Sequence, residues 1–236
     1  HMAVVTVAVL AIAAFLGWSM TRGASRPQRS GLTLASAVGN SGNMGIPICL
    51  FAFGEAGATL AAIYYAITSF LTNTAGVVVA SAGRSSWVEA VKRGLGAPVL
   101  YAAVLGLYLN RAGVTAPQPL YRAIDLLAGA AIPMMLVLLG AQLRRTRLHR
   151  GQLVIWPSLA VRLVASPVVA LALCWLLGIE GLERQVLVLQ SAMPTAVITT
   201  VLATEFNAAP ALVAASVLFS TLASVVTLSV VIFALG

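Results

Sequence analysis

An unbroken helix cannot run through residues 39–49, Gly-Asn-Ser-Gly-Asn-Met-Gly-Ile-Pro-Ile-Cys. Three glycines, two asparagines and a proline interrupt a segment whose flanks are as apolar as a membrane span. A second interruption, Ser-Ala-Met-Pro-Thr at 191–195, falls in another long apolar segment. Lipid offers no hydrogen bonds, so irregular backbone survives at membrane depth only inside protein or beside water. Two broken segments at corresponding places in two halves of a chain are a pointer to the binding site of a secondary carrier.

The lipid setting follows from composition. The 236 residues are 60% hydrophobic and 8% charged, with mean hydropathy +0.99, where a soluble domain carries about 25% charged residues. The bilayer is the solvent, and the expected class is an all-α polytopic membrane protein. Basic residues outnumber acidic ones by 14 to 6, giving +8. They lie in short loops between apolar spans and form no basic face, which argues against a nucleic-acid partner. Cys49 and Cys174 sit in apolar spans and read as small hydrophobes, not a disulfide. His149 is the only histidine besides His1, so no Ser/His/Asp or Cys/His set can be assembled. No metal-ligand spacing appears. The expectation is a protein that is not an enzyme and holds no cofactor.

Eight apolar segments can be marked, at 3–20, 32–53, 57–81, 96–113, 119–143, 152–178, 183–204 and 208–235. A span needs about 20 residues, and the fourth segment meets this least comfortably. Loops 21–31, 82–95 and 144–151 hold ten of the fourteen basic residues and fall on one side. The positive-inside rule makes that side cytosolic, in a cell (inner) membrane, with both termini of the chain outside. Trp18, Trp87, Trp156, Trp175, Tyr101 and Tyr121 lie mostly near span ends and read as interfacial belt residues.

Segments two and three run broken helix, short turn, long helix, and so do segments seven and eight. The second pair starts from the opposite side, which makes the two pairs inverted copies. This divides the chain into first-repeat core helices (3–81), a helix pair (96–143) and second-repeat core helices (152–235).

The stretches Gly39–Pro47, Ala131-Ile-Pro-Met-Met-Leu-Val-Leu-Leu-Gly140 and Gln190-Ser-Ala-Met-Pro-Thr-Ala-Val197, continuing to Thr204-Glu-Phe-Asn207, resemble the auxin efflux carrier family. That family includes bacterial carriers and the plant PIN-FORMED proteins. The resemblance runs over nearly the whole chain, in order. It implies a fold like that of the bile-acid sodium symporters, in which two broken helices cross at the substrate site and move as an elevator. It also implies that the chain begins at the family's third helix, with two scaffold helices preceding it, and that 96–143 belongs to the scaffold. Without those two helices, transport by the chain itself is in question, and a non-transporting module or core fragment is the alternative. A homodimer through 96–143 would cover the faces left open.

The residues at the breaks carry the expected chemistry. Asn40 and Asn43 offer amide donors to a carboxylate, Ser41 lies between them, Gly45 permits close approach, and Pro47 frees a carbonyl in the preceding turn. Close helix crossing alone is the plainer explanation of such small residues. At the second break Pro194 and Thr195, with Gln190 one turn earlier, precede a helix restart whose free N–H groups suit an anion. A simple kink is the plainer explanation there. Arg162 lies deep in segment six, where a charge is a functional candidate by default, against a role in holding helix ends together. Asn73 is polar at depth, as a site wall or a helix–helix bond. Asp125 and Glu205 are candidates for coupling to a proton, though Arg122 at i−3 explains Asp125 as a surface pair. Freed carbonyls at the breaks are the corresponding candidates for sodium. The expected substrate is a small organic anion.

Overall fold

The computed structural model describes residues 1–81, 86–96, 98–113, 117–145 and 152–235. All regular elements there are helical. They are α1 (Met2–Met20), α2 (Arg26–Ala37), α3 (Ile46–Leu71), α4 (Val77–Ala80), α5 (Trp87–Leu95), α6 (Pro98–Arg111), α7 (Gln118–Arg145), α8 (Trp156–Ala160), α9 (Ser166–Leu176), α10 (Gly181–Ser191), α11 (Ile198–Glu205) and α12 (Pro210–Leu235). Three π-helical turns interrupt them, at Ser41–Gly45, Thr72–Gly76 and Val161–Ala165.

Among the described residues, five stretches are long and apolar enough to cross a membrane, judged by length and composition: Met2–Met20, Ser41–Ala80, Gln118–Leu138, Trp156–Leu176 and Pro210–Leu235. The count differs from eight for physical reasons. Segments two and seven are broken into short helices. Segment four yields the 14-residue α6, about 21 Å at 1.5 Å per residue. Ser41–Ala80 contains the second half of segment two and nearly all of segment three.

That last stretch is a hairpin. Gly54 holds φ +69° and ψ −166°, far from helical values, and only glycine takes that conformation without strain. The Ser41 and Thr68 hydroxyls are 2.9 Å apart, and Ser30 Oγ donates to the Ala80 carbonyl at 3.3 Å. These pairs place the reversal at Gly54, so α2 and the first π turn lie antiparallel to the return arm of α3.

The packed body combines α1–α4 with α8–α12. Val5 and Val9 of α1 meet Tyr64 of α3, Ala170 and Cys174 of α9, and Leu187 of α10. Leu32 of α2 meets Ile155, Leu159 of α8 and Ala215 of α12. Lipid tails are as apolar as leucine, so such contacts hold by close van der Waals packing, which favours small residues. Several buried hydroxyls are satisfied within their own helices: Thr6 donates to Met2 O at 2.7 Å, and Thr221 to Val217 O at 2.7 Å. Cys49 and Cys174 are buried free thiols.

By contrast, α6 has no buried residue among those described, and Leu126, Leu127 and Val137 of α7 are 71–77% exposed. A side-chain carbon added at Gly106 or Gly129 would meet open space. Loop 82–95 is not wholly a loop. Residues 87–95 form the amphipathic α5, because Val88, Val91 and Leu95 fall on one face and Glu89 and Arg93 on the other. Arg93 of α5 pairs with Glu205 at the end of α11 through two bonds of 2.9 and 3.1 Å, which brings those ends together. Gly31 of α2 packs on the Ala208 carbonyl, so loop 21–31 shares that end of the molecule. Residues 146–151 lie outside the described residues.

Candidate functional site

The two segments marked as broken meet through backbone. Gly39 and Thr195 form an isolated antiparallel β-bridge. The Asn40 N–H donates to Pro194 O at 2.7 Å, and the Ala196 N–H donates to Val38 O at 2.9 Å. Val38 takes an extended conformation (φ −98°, ψ 109°) that ends α2. The break is narrower than expected. Val38 is extended and Asn40 makes a tight turn, with the Ser41 N–H donating to Gly39 O at 2.8 Å, before the chain resumes as a π turn at Ser41 and as α3 at Ile46. Pro47 lies in the first turn of α3, directly after that π turn, where the neighbouring Ile46 N–H donates to Gly42 O. Its ring supplies no donor to the carbonyls of the π turn.

Each break creates a pair of helix ends of opposite polarity. The carbonyl ends, from α2 and α10, converge on Arg162, which is 1% exposed on the third π turn. Its Nη1 donates to Ala37 O at 2.7 Å and to Ser36 O at 3.5 Å, and its Nη2 donates to Ser191 O. The last carbonyls of α2 are thus all placed. Leu34 O takes the Val38 N–H, Ala35 O takes Thr195 Oγ1 at 2.9 Å, and Arg162 takes the other two. A guanidinium stays protonated, so it supplies a full cation to two negative helix ends. Thr195 clamps the junction further, its N–H donating to Ser220 Oγ of α12 at 3.0 Å.

The amide ends, from the first π turn and α11, face a cavity of about 290 Å³. The N–H groups of Gly42 and Asn43 precede the first intrahelical bond, from Gly45 N–H to Asn40 O, and have no acceptor among the described residues. Those of Val197 and Ile198 likewise have no backbone acceptor. All four residues line the cavity. Its wall is otherwise Asn40, Ser41, Tyr65, Thr68, Ser69, Thr72 and Asn73, with Ala196 and Val201 as apolar surface. Among the described residues lining it, none is charged. The Asn40 side-chain nitrogen is buried without a partner. Two of the three π turns form this wall, which suits the tendency of such turns to sit at functional sites.

Of the residues singled out from sequence, Asn40, Ser41, Asn43 and Asn73 line the cavity, and Asn73 also donates to Ser69 O at 2.8 Å. Gly45, Pro47, Gln190, Pro194, Thr195 and Arg162 lie outside its lining. Gly45 touches the Gln190 amide so closely that a side-chain carbon would overlap it. Both polar atoms of that amide are buried without a partner. Glu205 is held in the Arg93 pair, and Asp125 is exposed on α7. Arg122 and Asp125 do not form the expected helix pair. Arg93–Glu205 is the ion pair found among the described residues, since exposed i, i−3 pairs gain only tenths of a kcal/mol. No group of metal-ligating side chains occurs among the described residues.

Sequence reasoning missed Tyr65, Thr68, Ser69 and Thr72. Their signal was legible: polar residues at i, i+3, i+4 and i+7 mark one face of an otherwise apolar helix.

Comparison with known proteins points to a family of membrane transporters. Residues 84–232 match the family described as membrane transport protein. A transporter of Methanothermobacter thermautotrophicus is 31% identical over 212 residues, covering 89% of this chain and 70% of its own length. A Rhizobium meliloti protein named "Putative malonate transporter" is 30% identical, over 83% of this chain and 63% of its own. Auxin efflux carrier component 3a of Oryza sativa is 30% identical over 53% of this chain, but only 21% of its own length. The chain thus spans about two thirds of the microbial relatives it matches. By its breaks, its cavity and these relatives, the chain belongs to the membrane transport protein family, that of the auxin efflux carriers.

Proposed function

We propose that the chain forms the binding core of a secondary carrier for small organic anions, carboxylates or auxin-like acids. The observation that carries this reading is the convergence of two helix amide ends on a polar cavity without charged side chains. An anion there gains from free N–H groups and from two helix dipoles. The reading has Asn40 and Asn43 donate to the carboxylate and Ser41 and Asn73 complete the polar wall. Val197, Ile198 and Val201 contact the apolar remainder. Arg162, Gly45, Gln190, Pro194 and Thr195 act one layer behind, holding the two breaks together. The names of the rhizobial and plant relatives support carboxylate-bearing substrates.

The mechanism we favour is an elevator. Residues 3–81 and 152–235 form inverted core repeats that slide as one body, and 96–143 contributes to the scaffold. The basic ends face the cytosol and both ends of this chain face outward. The packed body and the exposed α6 and α7 support that division. Proton or sodium coupling is a subordinate part of the proposal. Liposomes containing the chain should take up labelled malonate or labelled auxin, with and without imposed proton or sodium gradients. Excess unlabelled acid should compete, while a matched neutral ester should not. Equal competition by the ester would refute the anion site.

A second reading, a core module that does not transport alone, draws on the exposed apolar faces of α6 and α7. A second copy of the chain on those faces would cover them. Binding without uptake, together with a monomer–dimer shift on crosslinking in lipid, distinguishes this reading from the first.

A further inference from the structure

A groove of about 590 Å³ opens between the end of α1, the first half of α2 and α4. Arg26, Arg29 and Ser30 line its mouth, and Phe15, Val78 and Val79 its walls. Beside it lies an apolar cleft of about 180 Å³ between α1, α2 and the second π turn. Ala14, Thr33 and Val79 line both, so the two adjoin. The result is a basic mouth on an apolar tail.

No carboxylate neutralises the mouth. The first acid of the chain is Glu55, beyond the Gly54 reversal, and Arg22, Arg26 and Arg29 have no carboxylate partner among the described residues. The Arg29 guanidinium is fixed in place. Its Cζ lies 3.8 Å from the centre of the Trp18 ring, and its Nε donates to Trp18 O at 3.0 Å. Arg22 lies against the same ring at 5.2 Å. Deeper in the groove, Thr33 is 4% exposed, and its hydroxyl has no partner. Arg26, Arg29, Ser30 and Thr33 share one face of α2. Arg29 and Thr33 are one turn apart, about 6 Å along the axis, close to the spacing of phosphate and acyl ester in a glycerolipid.

We infer that this groove is a binding site for an anionic glycerophospholipid. Arg26 and Arg29 hold the phosphate. The Thr33 hydroxyl donates to an ester carbonyl. One acyl chain fills the cleft along α1 and the second π turn. Basic pockets at the ends of membrane helices are suited to such headgroups. Val38 and Thr72 line both the apolar cleft and the polar cavity. The acyl chain therefore backs the cavity wall from behind.

Native mass spectrometry of the detergent-purified chain, titrated with dioleoyl phosphatidylglycerol, dioleoyl phosphatidylcholine or glycerol 3-phosphate, tests the inference. Phosphatidylglycerol should be retained about tenfold more than phosphatidylcholine. R26Q and R29Q should each lower that retention about fivefold, from about 1 kcal/mol per basic group near a lipid surface. A11L should lower it as well by filling the cleft, with both arginines intact, and thermal unfolding without lipid identifies any variant that fails to fold. Equal retention of the two lipids would overturn the inference. So would retention unchanged in R26Q or R29Q and in A11L. Glycerol 3-phosphate displacing the lipid at equal concentration would reduce the site to a phosphate site. A dimer that forms without lipid and excludes phosphatidylglycerol would give the groove to a second chain.

Discussion

The two faces of the junction between the broken segments use the same backbone in opposite ways. On one face the carbonyl ends of α2 and α10 close on the buried Arg162. On the other, the amide ends of the first π turn and α11 open on an uncharged cavity. On the first face each terminal carbonyl of α2 has a donor, with only the Arg162 Nε left over among the guanidinium nitrogens. The second is incomplete, with free amides and a buried, unpaired Asn40 nitrogen. The contrast separates stability from binding. The fixed cation satisfies the negative helix ends, and on the proposed reading the positive ends are left for an anion that comes and goes.

The largest expected effect lies on the closed face. Arg162→Met should destabilise the fold by about 3–5 kcal/mol, because it strands carbonyls of two helix ends in a dry interior. Arg162→Lys should recover only part, since one ammonium cannot span both ends as a forked guanidinium does. Unfolding in detergent, followed by circular dichroism, measures both. A loss below about 1 kcal/mol would break the comparison by showing that the closed face is not what holds the junction.

The open face should respond in binding and not in folding. Asn43→Ala should weaken carboxylate binding about tenfold, the equivalent of one charge-assisted hydrogen bond, with little change in unfolding. Val197→Asp should weaken it further, because a carboxylate at the start of α11 caps the free amides and repels the ligand. Calorimetric titration with a small carboxylate reads both. An unchanged affinity in Val197→Asp would remove the helix-end account of the cavity.

Gly45→Ala tests whether the faces are mechanically linked. The added methyl overlaps the Gln190 amide and should cost about 1–3 kcal/mol by overpacking. The smallest effect belongs to Arg93→Gln. Both partners of that ion pair are 44% exposed, so its loss should cost at most about 1 kcal/mol and fall with added salt. A larger loss in unfolding experiments would mean that the end of α11 contributes to holding the junction.

Several features were readable before any coordinates. The two interruptions were marked by Gly39, Pro194 and their polar neighbours, and the apolar spans by composition. Asn40, Ser41, Asn43 and Asn73 were picked out as polar residues at depth, and all line the cavity. The reversal at 54–57 was legible from its Gly, Glu and Ala residues. Less was legible where a residue's role depends on direction. Pro47 falls in the first turn of α3, directly after a π turn that the sequence did not mark, because a π turn differs from an α turn by a single residue. Val88 and Val91 sat in a stretch read as loop, because a nine-residue amphipathic helix leaves only two periods to detect.

The sequence by itself determined that the chain lives in lipid, that it is helical, and that two of its apolar segments break. These follow from composition and from residues whose backbone preferences are local. Only the tertiary structure decided what each break does. Arg162 lies 125 residues from Ala37 and 29 from Ser191, and no periodicity records that both carbonyl ends converge on it. Whether a buried arginine neutralises a ligand or a pair of helix ends is settled by which groups lie within hydrogen-bond reach, and that reach is a property of packing between distant segments.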